Sequence, residues 1–279
     1  MKLHVKVSGI GVLGPGLADW AGGQALLRDP SLWQAAATTL PAPHRLPSTE
    51  RRRAGTVVKA SIVVADQALA ASSLDPAQLP TVFSSSTGDP VNCHLLCEAL
   101  ATPQRMVSPT RFTNSVHNAP AGYWHIATQS RAASTSLAAF EASFAAGLLE
   151  AAVQCVVIQG PVLLVVCDVP YPEPLHTLRP LSDVFAVALV LWPASADGRG
   201  LVLQTSASAA TSQCVHPGLE AVRRTIPAAC ALPLLQALAG SGAVDLVLEG
   251  LSGMALQVQV QAQVEAQAQV QTQAQVTAQ

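Results

Sequence analysis

Charge is what this sequence lacks most: only 11% of its 279 residues are Asp, Glu, Lys or Arg, while half are hydrophobic. That balance excludes the disordered class, which combines high charge with low hydrophobicity. The formal net charge is −2 and the one basic cluster is Arg51 to Arg53, so the electrostatic footprint of a nucleic-acid binder is missing. The triplet reads as a solvated helix start. The six cysteines, Cys93, Cys97, Cys155, Cys167, Cys214 and Cys230, have no framework spacing and fall mostly in apolar runs, which predicts buried thiols in a reducing compartment. No uninterrupted apolar h-region opens the chain, and no segment offers the roughly 18 apolar residues of a membrane span, so a cytoplasmic protein is expected. Apolarity beyond what a lone monomer needs points to an obligate interface.

Other chemistries fail for want of a completing residue. Gly9-Ile10-Gly11-Val12-Leu13-Gly14 has the spacing of a dinucleotide loop, with Asp29 where a ribose-binding acid is sought. Pro15 and Gly16 follow where the phosphate-binding helix should open, however, and Asp29 precedes a proline, so the run reads as a tight structural turn. Cys93, His94 and Cys97 include an i, i+4 pair on one helical face, but no second pair completes a metal site and they read as core residues. Two hydroxyl clusters, Ser84-Ser85-Ser86-Thr87 and Ser134-Thr135-Ser136, lack the G-x-S-x-G elbow. A triad would have to recruit His117, His125, His176 or His216 from elsewhere; the hydroxyls read as turn and strand residues. Neither a metal nor a cofactor is implied.

What is present is an alternation of strands and helices. The pattern predicts strands over 2–13, 82–85, 134–140, 161–167 and 185–191, and helices over 16–28, 54–72, 90–101 and 141–157. Two more strands, 201–207 and 244–248, flank a helix at 228–239. Such alternation implies an α/β fold with a buried, mostly parallel sheet. From Leu256 onwards glutamine alternates with Val, Ala or Thr; this low complexity predicts disorder rather than a lone long strand.

The strand-to-helix corner in STSLAAFEASFAAGLLEA opens its helix with a carboxylate, Glu141, where a nucleophile is often held. KVSGIGVLGPG resembles the opening strand and turn of β-ketoacyl synthases. SPTRFTNSVHNAPAGYWHI resembles the helix after their first long loop, and SDVFAVALVLWP the strand closing their N-terminal half. SVHNAPAGYW followed by FEASFAAGLLEA is similar to short ketosynthase-like chain length factors of aryl polyene-type clusters. The resemblance covers about residues 1–193. It implies half of a thiolase-like fold: a ketosynthase-like domain over 1–195 with a mixed, mostly parallel sheet flanked by helices, a small α/β extension over 196–252, and the Gln-rich tail over 253–279.

Aligned without gaps over 108–168, the chain places Glu141 where the family has its catalytic cysteine. A carboxylate suits the helix dipole but cannot form a useful thioester. No HGTGT-like or GHxxG-like segment occurs in 194–279, so the resemblance implies a non-catalytic subunit with a vestigial nucleophile position. Its partner would be a catalytic ketosynthase, with acyl carrier protein engaged indirectly. The product would be a polyene, fatty acyl chain or polyketide whose length the subunit limits by shaping the partner's acyl tunnel. The same alignment assigns Phe112, Val116, His117, Asn118, Ala119 and Tyr123 to the partner-facing tunnel wall. Alternatives are a stand-alone serine hydrolase or acyltransferase using Ser134 or another hydroxyl, and a degenerate protein whose tail mediates assembly.

Overall fold

The alternating run LHVKVSGIGVL forms β1 (Leu3–Leu13) in the computed structural model, which describes residues 2–70, 72–251 and 253–263. Gly14 and Leu17 then exchange backbone hydrogen bonds at 2.9 Å around Gly16, whose φ of +68° favours glycine. The tight turn therefore lies at Gly14–Leu17. Helix α1 (Trp20–Arg28) follows, capped by the Asp19 carboxylate, which accepts from the Gly22 N–H at 2.7 Å.

Helix α2 (Ser48–Arg53) ends in the arginine triplet. The triplet closes a helix instead of starting one, and there the positive side chains suit the negative end of the helix dipole. Helix α3 (Thr56–Leu69) buries ten of its residues, Ile62, Val64 and Ala65 among them. Gly9 and Gly11 serve this helix: a Cβ on either would lie 2.0 Å from a carbonyl oxygen, of Ala68 and Val64 respectively. Glycine there lets a helix backbone lie directly on a strand.

The chain continues through β2 (Thr81–Ser84), α4 (Pro90–Ala101), α5 (Pro109–Thr113), α6 (Ala119–Thr128) and β3 (Ser134–Leu137). After a 3-10 turn at Phe140–Ala142 come α7 (Ser143–Ile158), β4 (Val162–Asp168), the one-turn α8 (Leu175–Leu178) and β5 (Phe185–Pro193). The remainder is β6 (Arg199–Ala207), α9 (Pro217–Thr225), α10 (Leu232–Ala239), β7 (Val244–Glu249) and β8 (Met254–Val260).

These eight strands form one mixed sheet in the order β3-β2-β4-β5-β1-β6-β8-β7. The mixed α/β architecture is as expected, but the sheet is mostly antiparallel where a parallel majority was expected. Among the described residues only β2 pairs in parallel, with β3 and β4, and the other five pairings are antiparallel. The β4-to-β5 connection holds a single helical turn, so the strand returns alongside its predecessor without the long crossover that parallel pairing requires. One face of the sheet packs on α3 and α6 and the other on α7, α10 and the 3-10 segment Pro227–Ala231.

The expected disorder from residue 253 gives way to β8. Leu256, Val258 and Val260 point into the core and Gln257 and Gln259 outwards. The strand is not alone, since β6 and β7 pair with both its edges. The rest of that expectation, 264–279, lies outside the described residues. A stretch apolar and long enough for a membrane span does exist, Phe140–Ile158 at mean hydropathy 1.5. Its inward face, with Phe144, Leu148, Ala151 and Cys155, belongs to the protein core.

Candidate functional site

The carboxyl ends of the parallel strands β3, β2 and β4 converge on one corner, the usual place for a site in an α/β sheet. Phe140 makes the turn there with φ of +51°, a left-handed conformation that is strained for a bulky residue. Ser143, fully buried, holds the turn closed. Its Oγ donates to the Phe140 carbonyl at 2.7 Å and accepts from the Ala139 N–H at 3.0 Å.

Glu141 follows in the 3-10 turn, but its carboxylate is not deeply buried, with 41% of the side chain exposed. Its Oε1 accepts from Arg179 Nη2 at 2.6 Å and Nε at 3.2 Å. The same guanidinium donates Nη1 to the Tyr171 hydroxyl at 2.9 Å and Nη2 to Ser86 Oγ at 2.7 Å, and it lies 4.2 Å over the Phe140 ring. One arginine thus ties together the loops after β2, β3 and β4.

Beneath it, Asp168 ends β4 with no exposure at all. Its Oδ1 accepts from the N–H groups of Ser86 at 2.7 Å and Thr87 at 3.1 Å and from Ser85 Oγ at 3.1 Å. Among the described residues Oδ2 has no hydrogen-bond partner. Burial raises the Asp168 pKa against the opposing pull of those donors.

No thiol is poised for attack at this corner. Cys230 is close enough for the Glu141 and Asp168 charges to act on it, yet burial first, and then the Glu249, Glu141 and Asp168 charges against the opposing pull of Arg223, push its pKa to about 12. Cys155, Cys167 and Cys214 are buried as expected, and burial raises the pKa of each. Cys93 and Cys97 are exposed, which corrects their reading as core residues: α4 buries only Pro90 and Asn92. Beside them His94 pairs with Glu98 at 3.2 Å. Among the described residues no three His, Cys, Asp or Glu side chains share a metal-sized space.

The hydroxyl clusters serve structure. Ser84 Oγ donates to the Ser143 carbonyl at 2.7 Å, and Ser134 Oγ accepts from Thr81 Oγ1 at 2.8 Å. His117 Nε2 sits 3.1 Å from the Ser85 carbonyl oxygen, not from a hydroxyl, and His216 stacks edge-on against Trp33. His125 Nε2 is buried without a partner among the described residues. Its ring lines an open cleft of about 560 Å³ with His117, Asn118, Ser134 and Ser136. Among the described residues no serine hydroxyl is hydrogen-bonded to a histidine, so the hydrolase triad is not assembled.

The profile of the β-ketoacyl synthase N-terminal domain matches residues 24–244. The chain belongs to that β-ketoacyl synthase family. No curated protein sequence matches it. Its fold is similar to a ketosynthase (ApeO) in complex with its chain length factor (ApeC) from Xenorhabdus doucetiae, at 22% identity and a TM-score of 0.72, over 92% of this chain and 99% of that one. The ishigamide ketosynthase/chain length factor gives 12% identity and 0.69, covering 92% and 99%. A type II polyketide synthase acyl-carrier protein in complex with its ketosynthase (AntDE:AntF) gives 12% and 0.71, covering 94% and 100%. The sheet and its flanking helices are the thiolase-like N-terminal fold of ketosynthases.

In this ketosynthase-family chain the six residues assigned to a tunnel wall do not share one surface. Phe112 is 70% exposed, and Val116, His117 and Asn118 are exposed too, but Ala119 and Tyr123 are buried. Tyr123 faces the core beneath α3, where its hydroxyl donates to Asn114 Oδ1 at 3.1 Å and burial raises its pKa. Tyr123 thus differs from Phe112 in packing inside its own chain. The chain kinks between α5 and α6, so residues that share a face of one continuous helix separate here. Sequence reasoning missed Arg179 and Asp168. Asp168 leaves a trace, a lone carboxylate closing an all-buried apolar strand; Arg179 leaves none.

Proposed function

We propose that this chain is the non-catalytic partner of an active ketosynthase and limits the length of the acyl, polyene or polyketide chain that the partner builds. The observation that carries the reading is the arm formed by α4, α5 and their connection. Helix α4 has the sequence PVNCHLLCEALA and buries only Pro90 and Asn92. Val91, Leu100, Met106, Phe112 and Val116 are all exposed large hydrophobic residues on this one stretch of chain. An apolar patch of this extent marks a surface covered by a partner. The corner supports the non-catalytic half of the reading, since a carboxylate neutralised by Arg179 stands where the family's thiol is expected.

The related complexes join a ketosynthase to a chain length factor or an acyl-carrier protein, and the same partners are proposed here: a catalytic ketosynthase covering the arm, and a carrier protein delivering chains to the pair. In that arrangement Phe112 and Val116 border the partner's tunnel. The test is co-expression with a full-length ketosynthase sought in the gene neighbourhood of this chain. A one-to-one complex with condensing activity, lost when the partner's cysteine is replaced but retained in Glu141→Gln, is the expected result. A chain that stays monodisperse alone and does not co-purify would refute the pairing.

A further inference from the structure

The six cysteines divide unequally between core and surface. Cys155, Cys167 and Cys214 are buried and Cys230 is half-buried, and burial raises the pKa of each, so these thiols are shielded and slow to react. Cys93 and Cys97 are exposed, four residues apart on α4, and with exposed Leu100 they form one stripe along the outer face of the helix. The two thiols are within reach of each other. After burial, the Cys97 side chain is the next influence that raises the Cys93 pKa, by its charge and by a hydrogen bond. His94, on the neighbouring stripe, is taken up by Glu98 at 3.2 Å, and among the described residues no third metal ligand joins the pair. What the two thiols can do together is thiol–disulfide chemistry.

Helix geometry sets the consequence. Side chains at i and i+4 have Cβ atoms about 5–6 Å apart, whereas a disulfide holds them at about 3.5–4.5 Å. Closing the bond must therefore draw one turn of α4 out of helical shape. The rest of the protein resists this weakly, because α4 is a 12-residue helix that buries only Pro90 and Asn92. Asp89 anchors the first turn, accepting from the Asn92 N–H at 3.0 Å, so the distortion falls on the turn between Cys93 and Cys97. That turn lies inside the apolar arm, between exposed Val91 and Leu100.

We propose that Cys93 and Cys97 form a reversible disulfide that reshapes α4 and with it the apolar arm, so that oxidation keeps this chain from its ketosynthase. The effect on pairing rests on the partner reading above; the disulfide itself does not. The oxidant is a low-molecular-weight disulfide such as oxidised glutathione. One cysteine thiolate attacks it, forming a mixed disulfide and expelling one thiolate, and the second cysteine then attacks the first cysteine's sulfur and expels the other. The two cysteine thiols lose two electrons and two protons, and the oxidant leaves as two thiols. Because the bond strains its helix, its reduction potential is high and small thiols reverse it. Oxidation and pairing compete for the same stripe, so a covered arm protects its thiols by the factor with which oxidation weakens pairing.

The experiment oxidises the purified chain with glutathione disulfide and removes the oxidant before a ketosynthase is added. Intact mass should show the loss of two hydrogens, peptide mapping should place the bond between Cys93 and Cys97, and circular dichroism should show less helix. Against a full-length ketosynthase sought in the gene neighbourhood, the oxidised chain should bind about tenfold or more weakly and recover on reduction with dithiothreitol. Cys93→Ser/Cys97→Ser should pair like the reduced wild type, with or without oxidant treatment. A chain that takes up only glutathione adducts, or a bond between Cys93 and Cys97 that leaves helix content and pairing unchanged, overturns the proposal. A reduced wild-type chain that binds no ketosynthase refutes the pairing instead, and the mass and helix readouts on the chain alone tell the two failures apart.

Discussion

Arg179 and Glu141, 38 residues apart, meet with Nη2 2.6 Å from Oε1 at the corner where the parallel strands end. The arginine is the more deeply buried partner and holds Ser86 and Tyr171 as well. Losing either side chain should therefore have unequal effects. Arg179→Ala strands several polar groups at once and should cost about 2–3 kcal/mol. Glu141→Gln keeps an acceptor in a partly solvated pair and should cost about 1 kcal/mol or less. Denaturant unfolding of both variants and their double mutant measures the difference and the coupling. Equal costs would show that the hub is not organised by the arginine.

A second expectation concerns the glycines of β1. Gly9→Ala or Gly11→Ala would drive a methyl group into the α3 backbone, where a carbonyl oxygen stands 2.0 Å from the ideal Cβ. Neither side can yield by a rotamer change, so each substitution should cost about 3 kcal/mol or prevent folding. Gly122→Ala is the control, since its Cβ would meet nothing within 4 Å. Thermal unfolding should place Gly122→Ala near wild type and the two β1 variants well below it.

Much of this fold is legible in the sequence because burial writes itself as composition. VLLVVCD and FAVALVLWP are all or nearly all apolar, and they become β4 and β5. Apolar runs carry no direction, however, so antiparallel β5 could not be distinguished from a parallel neighbour. The alternating Gln pattern of β8 reads as a strand only once β6 and β7 are known to flank it. The candidate site is harder. Glu141 is visible as an oddity at a corner, but its partner Arg179 lies in an irregular loop where no periodicity points inwards. That Phe112 is exposed and Tyr123 buried is not legible either, because the break between α5 and α6 carries no periodicity.

Asp168 makes stability depend on pH. Burial raises its pKa above the ordinary value of 3.8, so the folded state holds a proton that the unfolded chain releases more readily. The associated stability is complete below 3.8 and is lost as pH rises through the raised folded value. Asp168→Asn cannot ionise and keeps an oxygen for the Ser86 and Thr87 N–H groups. Unfolding midpoints measured from about pH 4 upwards should decline less steeply in Asp168→Asn than in wild type. Parallel profiles would mean that Asp168 is not the group responsible.

Phe112 and Tyr123 separate the roles that sequence assigned to them jointly. Phe112 is 70% exposed on the apolar arm, so truncating its ring removes little folding energy from this chain. If the ring borders the partner's tunnel, Phe112→Ala opens space there, and products should lengthen at nearly wild-type yield. Tyr123 is a core residue whose hydroxyl holds Asn114. Tyr123→Phe should cost about 1 kcal/mol, and Tyr123→Ala about 3–5 kcal/mol, with yield falling and chain length unchanged. Mass spectrometry of carrier-bound chains made by each mutant heterodimer reads both outcomes at once. Longer chains from Tyr123→Ala and none from Phe112→Ala would reverse the assignment. Unchanged lengths from both variants would remove the α5 segment from the tunnel while leaving the pairing itself intact.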